Sequence, residues 1–151
     1  PDPMPALRSV GGVDVLFDEA GADSSPRVLI VGTGACAPDA IEAGSRLAAD
    51  GIGVTVVDPR WLLPLSLDLV DMAAGYDAVI SVEDGIVHGG FGWALRDGLT
   101  QAATPVRCLG VPQVFPEHGE RAQMIADFGY DAEGIERAAR DAVSALGARE
   151  G

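Results

Sequence analysis

No lysine occurs among the 151 residues: all ten basic side chains are arginine, set against 23 aspartates and glutamates for a net charge of −13. A surface of that sign repels phosphate backbones and anionic lipid, which excludes nucleic acid and membranes as expected partners. Cysteine is almost as scarce. Cys36 and Cys108 stand far apart in the chain, in no CxxC or Cys/His cluster, so neither a zinc site nor a disulfide framework is indicated and a reducing cytoplasm is expected. Long apolar runs are missing too. Stretches such as Ala78 to Val82 and Val54 to Val57 are too short to span a bilayer, and the N-terminus lacks a signal-peptide pattern. There is no P-loop, HExxH, EF-hand loop or DxD-type metal pair. A chain with no catalytic set reads as a module of a larger enzyme, and the opening Pro1-Asp2-Pro3-Met4-Pro5 suggests the same.

What is present is an alternation of strand and helix signals. Residues 1–12 read as a linker, because three prolines and Gly11-Gly12 leave few backbone donors and no hydrophobic period. Val13 to Phe17 is a short strand. The β-branched run Arg27 to Val31 suits a central strand covered on both faces. A helix is expected over Ala37 to Asp50, with Pro38 in its first turn, Gly51 as its stop and Ile41, Leu47 and Ala48 on its buried stripe. Then follow Val54 to Asp58 (strand), Leu67 to Ala73 (helix), Ala78 to Val82 (strand), Gly90 to Gln101 (helix) and Val106 to Gly110 (strand). Two helices close the chain, Arg121 to Phe128 and Ala132 to Leu146, before a frayed tail. Such alternation predicts one α/β domain over 13–147, built of right-handed βαβ units on a mostly parallel, Rossmann-like sheet. Residues 148–151 are left as tail.

Two loops could carry chemistry. Gly32-Thr33-Gly34-Ala35-Cys36-Ala37 is a GxGxxA between strand and helix, with Asp58 ending the next strand. In a dinucleotide site those glycines admit the pyrophosphate and the acid holds a ribose hydroxyl. The competing reading is a tight turn that favours glycine for its geometry alone. The second loop runs from Val82-Glu83-Asp84 to His88-Gly89-Gly90-Phe91-Gly92, at the strand edge where open sheets place functional loops. Its acids and His88 could serve acid/base chemistry, while its glycines suit close packing or an interface. His118 lies between the last strand and a helix with no nucleophile beside it, and Cys36 reads as a half-buried structural thiol. Arg60 and Trp61, braced by Pro59 and Pro64, form a rigid loop suited to an interface or to covering a core edge.

Three stretches together carry a resemblance: Gly51 to Pro64, Val82-Glu83-Asp84 with Gly89-Gly90-Phe91-Gly92, and Leu109 to Gly119. They resemble the C-terminal domain of the transketolase family, most closely in its 1-deoxy-D-xylulose-5-phosphate synthase branch, as does Gly11 to Leu16 at the domain entry. The resemblance implies a three-layer α/β/α domain with a mixed five-stranded sheet, its first strand antiparallel. It implies thiamine diphosphate and magnesium bound by two preceding domains, with no cofactor, metal or catalytic residue in this domain. Nothing here resembles the GDG-to-asparagine stretch that holds a magnesium diphosphate in thiamine enzymes. The expected partners are the preceding domains of the same chain and a second copy in a homodimer. The whole enzyme would condense pyruvate with glyceraldehyde 3-phosphate, releasing carbon dioxide and supplying isoprenoid and thiamine synthesis, and the isolated domain would be inactive. Arg60, Trp61, Glu83, Asp84, His88, Gly89, Gly90 and Gly92 are the residues expected at the interdomain or dimer contact. Two alternatives stand beside this: the same domain of a transketolase or a 2-oxo acid dehydrogenase β subunit, and a stand-alone dinucleotide-binding domain using Gly32, Gly34 and Asp58.

Overall fold

The structure, a computed structural model, describes residues 4–62, 64–87, 89–112 and 121–149. In chain order its elements are β1 (Arg8–Val10), β2 (Val13–Asp18), β3 (Arg27–Gly32), α1 (Ala37–Ala49), β4 (Gly53–Pro59), α2 (Leu67–Ala74), β5 (Ala78–Ile86), α3 (Phe91–Gly98), β6 (Val106–Val111), α4 (Arg121–Asp127) and α5 (Ala132–Arg149). The strands form one sheet in the order β1-β2-β4-β3-β5-β6. Pairing is parallel from β4 through β6 and antiparallel where β2 meets β4 and β1 meets β2.

Period-two alternation in the central strands builds two cores. Val28 and Ile30 of β3, Val54 and Val56 of β4, and Ile80 and Val82 of β5 face α1 and α5. Leu29, Val31, Val57 and Val79 face α2 and α3 on the other side. With both faces covered, these strands favour apolar residues on both faces, which is why β3 reads as an unbroken run. α1 lies close to the sheet because its inner stripe is small. Ala40, Ala43, Gly44 and Leu47 are buried, and a Cβ at Gly44 would sit 2.8 Å from Val56 Cγ2.

Four expectations are corrected. The sheet has six strands, not five, because the segment read as a linker contains β1. Gly11 and Gly12, read as breakers, take φ of +53° and +81° and form the two-residue turn of a hairpin whose closing pair is Val10 with Val13. Positive φ at both central positions is what that kind of hairpin turn requires. At the other end α5 continues to Arg149 through residues assigned to a frayed tail. Finally, β5 runs on to Ile86 while α3 spans only Phe91–Gly98. Of the expected buried stripe on α1, Leu47 is fully buried, whereas Ile41 and Ala48 are only partly so.

Candidate functional site: an acidic cleft at the sheet's switch point

The chain leaves β3 for β4 on one side of it and later returns to β5 on the other, so the loops after β3 and β5 diverge. Open α/β sheets present their crevice at such a reversal, beyond the carboxyl ends of the strands. Here it is a cleft of about 580 Å³ between Thr33-Gly34-Ala35, Asp58-Pro59-Arg60 and Glu83-Asp84-Gly85, with Phe91 and Asp14 at its sides. Thr33 ties the two loops together: its N–H and its Oγ1 both donate to the Val82 carbonyl, at 3.1 and 3.2 Å.

Glu83 is the most enclosed acid in the cleft, at 7% exposure. Its carboxylate caps α3, accepting from Gly92 N–H at 3.1 Å and also from Phe91 N–H. Burial pushes its pKa above the usual glutamate value, and the two N–H donors oppose that rise. Asp58 is also raised, first by burial and then by the Asp14 charge, against a 3.5 Å hydrogen bond from Gly34 N–H. Asp14 and Asp58 are direct cross-strand partners, two like charges side by side. Asp14 itself is held low, chiefly by the Ser9 hydroxyl at 2.5 Å and also by Arg60, whose guanidinium is 3.1 Å away. Asp84 is exposed and accepts from the hydroxyl of buried Tyr130 at 3.4 Å.

The cleft is therefore lined by four carboxylates, with its one arginine already engaged by Asp14 and Ser9. It offers protonatable acids and no nucleophile. Cys108, the thiol nearest α3, has its pKa pushed up by burial, and Cys36 is buried beneath the β3–α1 turn rather than half-buried. Neither forms a disulfide. Among the described residues no cluster of three His, Cys, Asp or Glu side chains could hold a metal, and no helix is long and apolar enough to cross a membrane.

The expected interface residues fall into two groups. Glu83, Asp84 and Arg60 meet at the cleft. Trp61, 48% exposed, lies over the β1–β2 turn instead, where a Cβ on Gly12 would be 2.5 Å from its ring. Gly92 is a packing residue: a Cβ there would lie 2.3 Å from Ser81 Oγ and 2.9 Å from Cys108 Sγ. Gly90 is the N-cap of α3, and Gly89 takes φ +72°. His88, His118 and most of the Leu109 to Gly119 stretch lie outside the described residues.

The GxGxxA turn uses its glycines internally. A Cβ on Gly32 would lie 2.7 Å from that of Ala40, so this glycine permits close contact between β3 and α1, while Gly34 adopts φ +50° in open space. The Gly34 N–H is aimed at Asp58. Sequence reasoning missed Asp14, Thr33, Tyr130 and Gly110. Gly110 lets the irregular end of β5 fold over β6, since a Cβ there would be 2.8 Å from the Glu83 carbonyl oxygen and 2.9 Å from that of Gly85. A glycine inside a strand pattern was the available signal.

The family described as "Transketolase, C-terminal domain" matches residues 21–135. Among similar proteins, the 1-deoxy-D-xylulose-5-phosphate synthase of Corynebacterium glutamicum (strain R) is 44% identical over 140 residues, covering 90% of this chain and 22% of that protein. The synthase of Mycobacterium sp. (strain KMS) is 42% identical over 147 residues, covering 96% and 23%. A solved structure titled "Split gene transketolase, inactive beta4 tetramer" superposes with a TM-score of 0.76 at 30% identity, over 91% of this chain and 44% of that one. The chain thus spans less than a quarter of the length of these synthases.

Proposed function

Because the chain belongs to the transketolase C-terminal domain family, we propose that it works as the third domain of a 1-deoxy-D-xylulose-5-phosphate synthase, in cis with catalytic domains that precede it. The observation that carries this is the match to named synthases along nine-tenths of this chain but under a quarter of theirs. The complete enzyme would join pyruvate to glyceraldehyde 3-phosphate with loss of carbon dioxide. Thiamine diphosphate supplies the carbanion chemistry in such a reaction, and the residues of this cleft do not suit it. Asp14, Asp58, Glu83 and Asp84 would repel a diphosphate, and Arg60 is committed to Asp14. The cofactor and its magnesium would then be held by the preceding domains, as the family resemblance implies.

The domain's own contribution would be assembly. A rigid platform holds Glu83, Asp84 and Arg60 on one edge and Trp61 beside it, facing the preceding domains or a second copy. Self-association draws support from the tetramer named for the split-gene transketolase. The 151-residue chain alone should turn over no pyruvate and glyceraldehyde 3-phosphate when supplied with thiamine diphosphate and magnesium. Turnover by the chain alone would remove the reading.

The dinucleotide alternative rests on Gly34 and Asp58 sharing one cleft. It requires micromolar NAD or NADP binding in calorimetry, abolished by Asp58→Ala. Because the Gly34 N–H is turned toward Asp58 and three more carboxylates surround the cleft, no such binding is expected.

A further inference from the structure

At the opposite edge of the sheet from β1 lies β6, and beside it a second cavity of about 470 Å³ follows the strand. Its walls come from both faces: Trp93 and Arg96 from α3 on one side, Arg137 and Ala138 from α5 on the other. Between them run Val106, Arg107, Cys108 and Leu109. Side-chain alternation sorts these residues, with Val106 packing into the α2/α3 core and Leu109 into the α1/α5 core. Arg107 thus shares the α5 face with Arg137, and Arg96 stands on the α3 face.

Three of the chain's ten arginines meet at this trough, against one acid, Asp141. Elsewhere the arginines are mostly spent on carboxylates: Arg8 on Asp18, Arg46 on Glu42 and Glu136, Arg60 on Asp14, Arg140 on Asp50 and Glu136. Arg96 and Arg107 have no carboxylate partner among the described residues. Arg96 stacks on Trp93 at 5.1 Å, and Arg137 has only an exposed 3.6 Å contact with Glu133. On the β5 side the strand is paired in regular register from Val106 to Leu109; on the outer side no described strand pairs with it. An edge strand presents a row of backbone donors and acceptors for one more strand.

We propose that the β6 edge, flanked by Arg96 on one face and by Arg107 and Arg137 on the other, is a docking groove for an extended acidic segment of a partner protein, which pairs with β6 as a seventh strand. Charge complementarity chooses this occupant. In an added strand successive side chains point to opposite faces, so acids at adjacent positions meet arginine on both. A second copy of this chain suits the groove poorly. Pairing two β6 edges would set arginine against arginine, and the β1 edge offers Arg8 and no acid. The inference does not depend on the synthase assignment.

The test uses the 151-residue chain and a short fluorescein-labelled peptide of glutamate pairs separated by single valines, which presents acids to both faces of an added strand, followed by fluorescence anisotropy. Binding should weaken about tenfold with each of Arg96→Glu and Arg107→Glu, and a lysine-valine peptide should not bind. All three arginines are exposed, so the variants keep the fold, as circular dichroism would verify. Hydrogen exchange should show new protection at β6 amides in the wild type with peptide. Absence of binding, equal binding by the variants, or protection confined to other strands would overturn the proposal. So would displacement of the peptide by self-association of the chain.

Discussion

At the scale of single residues, Gly92 is a point of close approach between α3 and the sheet. Its missing Cβ is what allows α3 to rest on Ser81 and Cys108, so Gly92→Ala should destabilise the chain by roughly 1–3 kcal/mol. Ser81→Ala in the same chain should recover part of that loss, because Ser81 Oγ is the nearer obstacle; urea denaturation of the double-mutant cycle measures it. Glu83 makes a second prediction, with a definite sign. Its folded pKa is raised above the ordinary 4.5, so the folded state binds more protons than the unfolded state just above that value. Its contribution to stability is therefore largest below about pH 4.5 and falls as pH rises through the folded pKa. In Glu83→Gln that decline should vanish, leaving the variant relatively more stable at neutral pH than in acid. A wild-type-minus-variant difference that does not change with pH would refute this account of Glu83. Both residues were legible in the sequence as part of one dense loop, but their roles were not. Only the fold shows that the acid caps the helix and the glycine seats it.

At the scale of elements, the β3–α1 turn shows how one motif supports two readings. A GxGxxA after a strand is fixed by sequence, while the direction of its N–H groups is fixed by what the next strand brings alongside. Here β4 brings Asp58, and the Gly34 N–H turns to it. The two glycines should respond differently to substitution. Gly32→Ala meets Ala40, and its cost should be relieved by Ala40→Gly; Gly34→Ala has open space and costs about 1–2 kcal/mol through its positive φ alone. Thermal unfolding of the variants separates the cases, and Gly34→Asn should be the milder change at its site. The regular elements β3, β4, α1 and α2 were legible because periodicity and caps agree, including Ser66, whose hydroxyl accepts from Leu69 N–H at the start of α2. β1 was not, since three exposed residues carry no pattern and its evidence lay in the Gly-Gly turn.

For the whole molecule, the end of the sheet remote from the cleft carries a part-buried polar chain. Tyr76 donates to Thr55 at 2.6 Å, Thr55 donates to Asp18 at 3.0 Å, and Arg27 stacks on the Tyr76 ring at 4.6 Å. Tyr76→Phe should keep the stacking and lose about 1 kcal/mol in denaturant titration, without touching the cleft. The two ends of the sheet are thus separable, one holding the fold and the other facing outward with its acids. That division is what a domain serving a larger enzyme needs. Its most direct test is a chimera in which this chain replaces the matching segment of the Corynebacterium glutamicum synthase. The account predicts that the chimera folds and forms 1-deoxy-D-xylulose 5-phosphate from pyruvate and glyceraldehyde 3-phosphate, as a control carrying the Corynebacterium jeikeium segment does. A folded chimera that makes none, beside an active control, would contradict it.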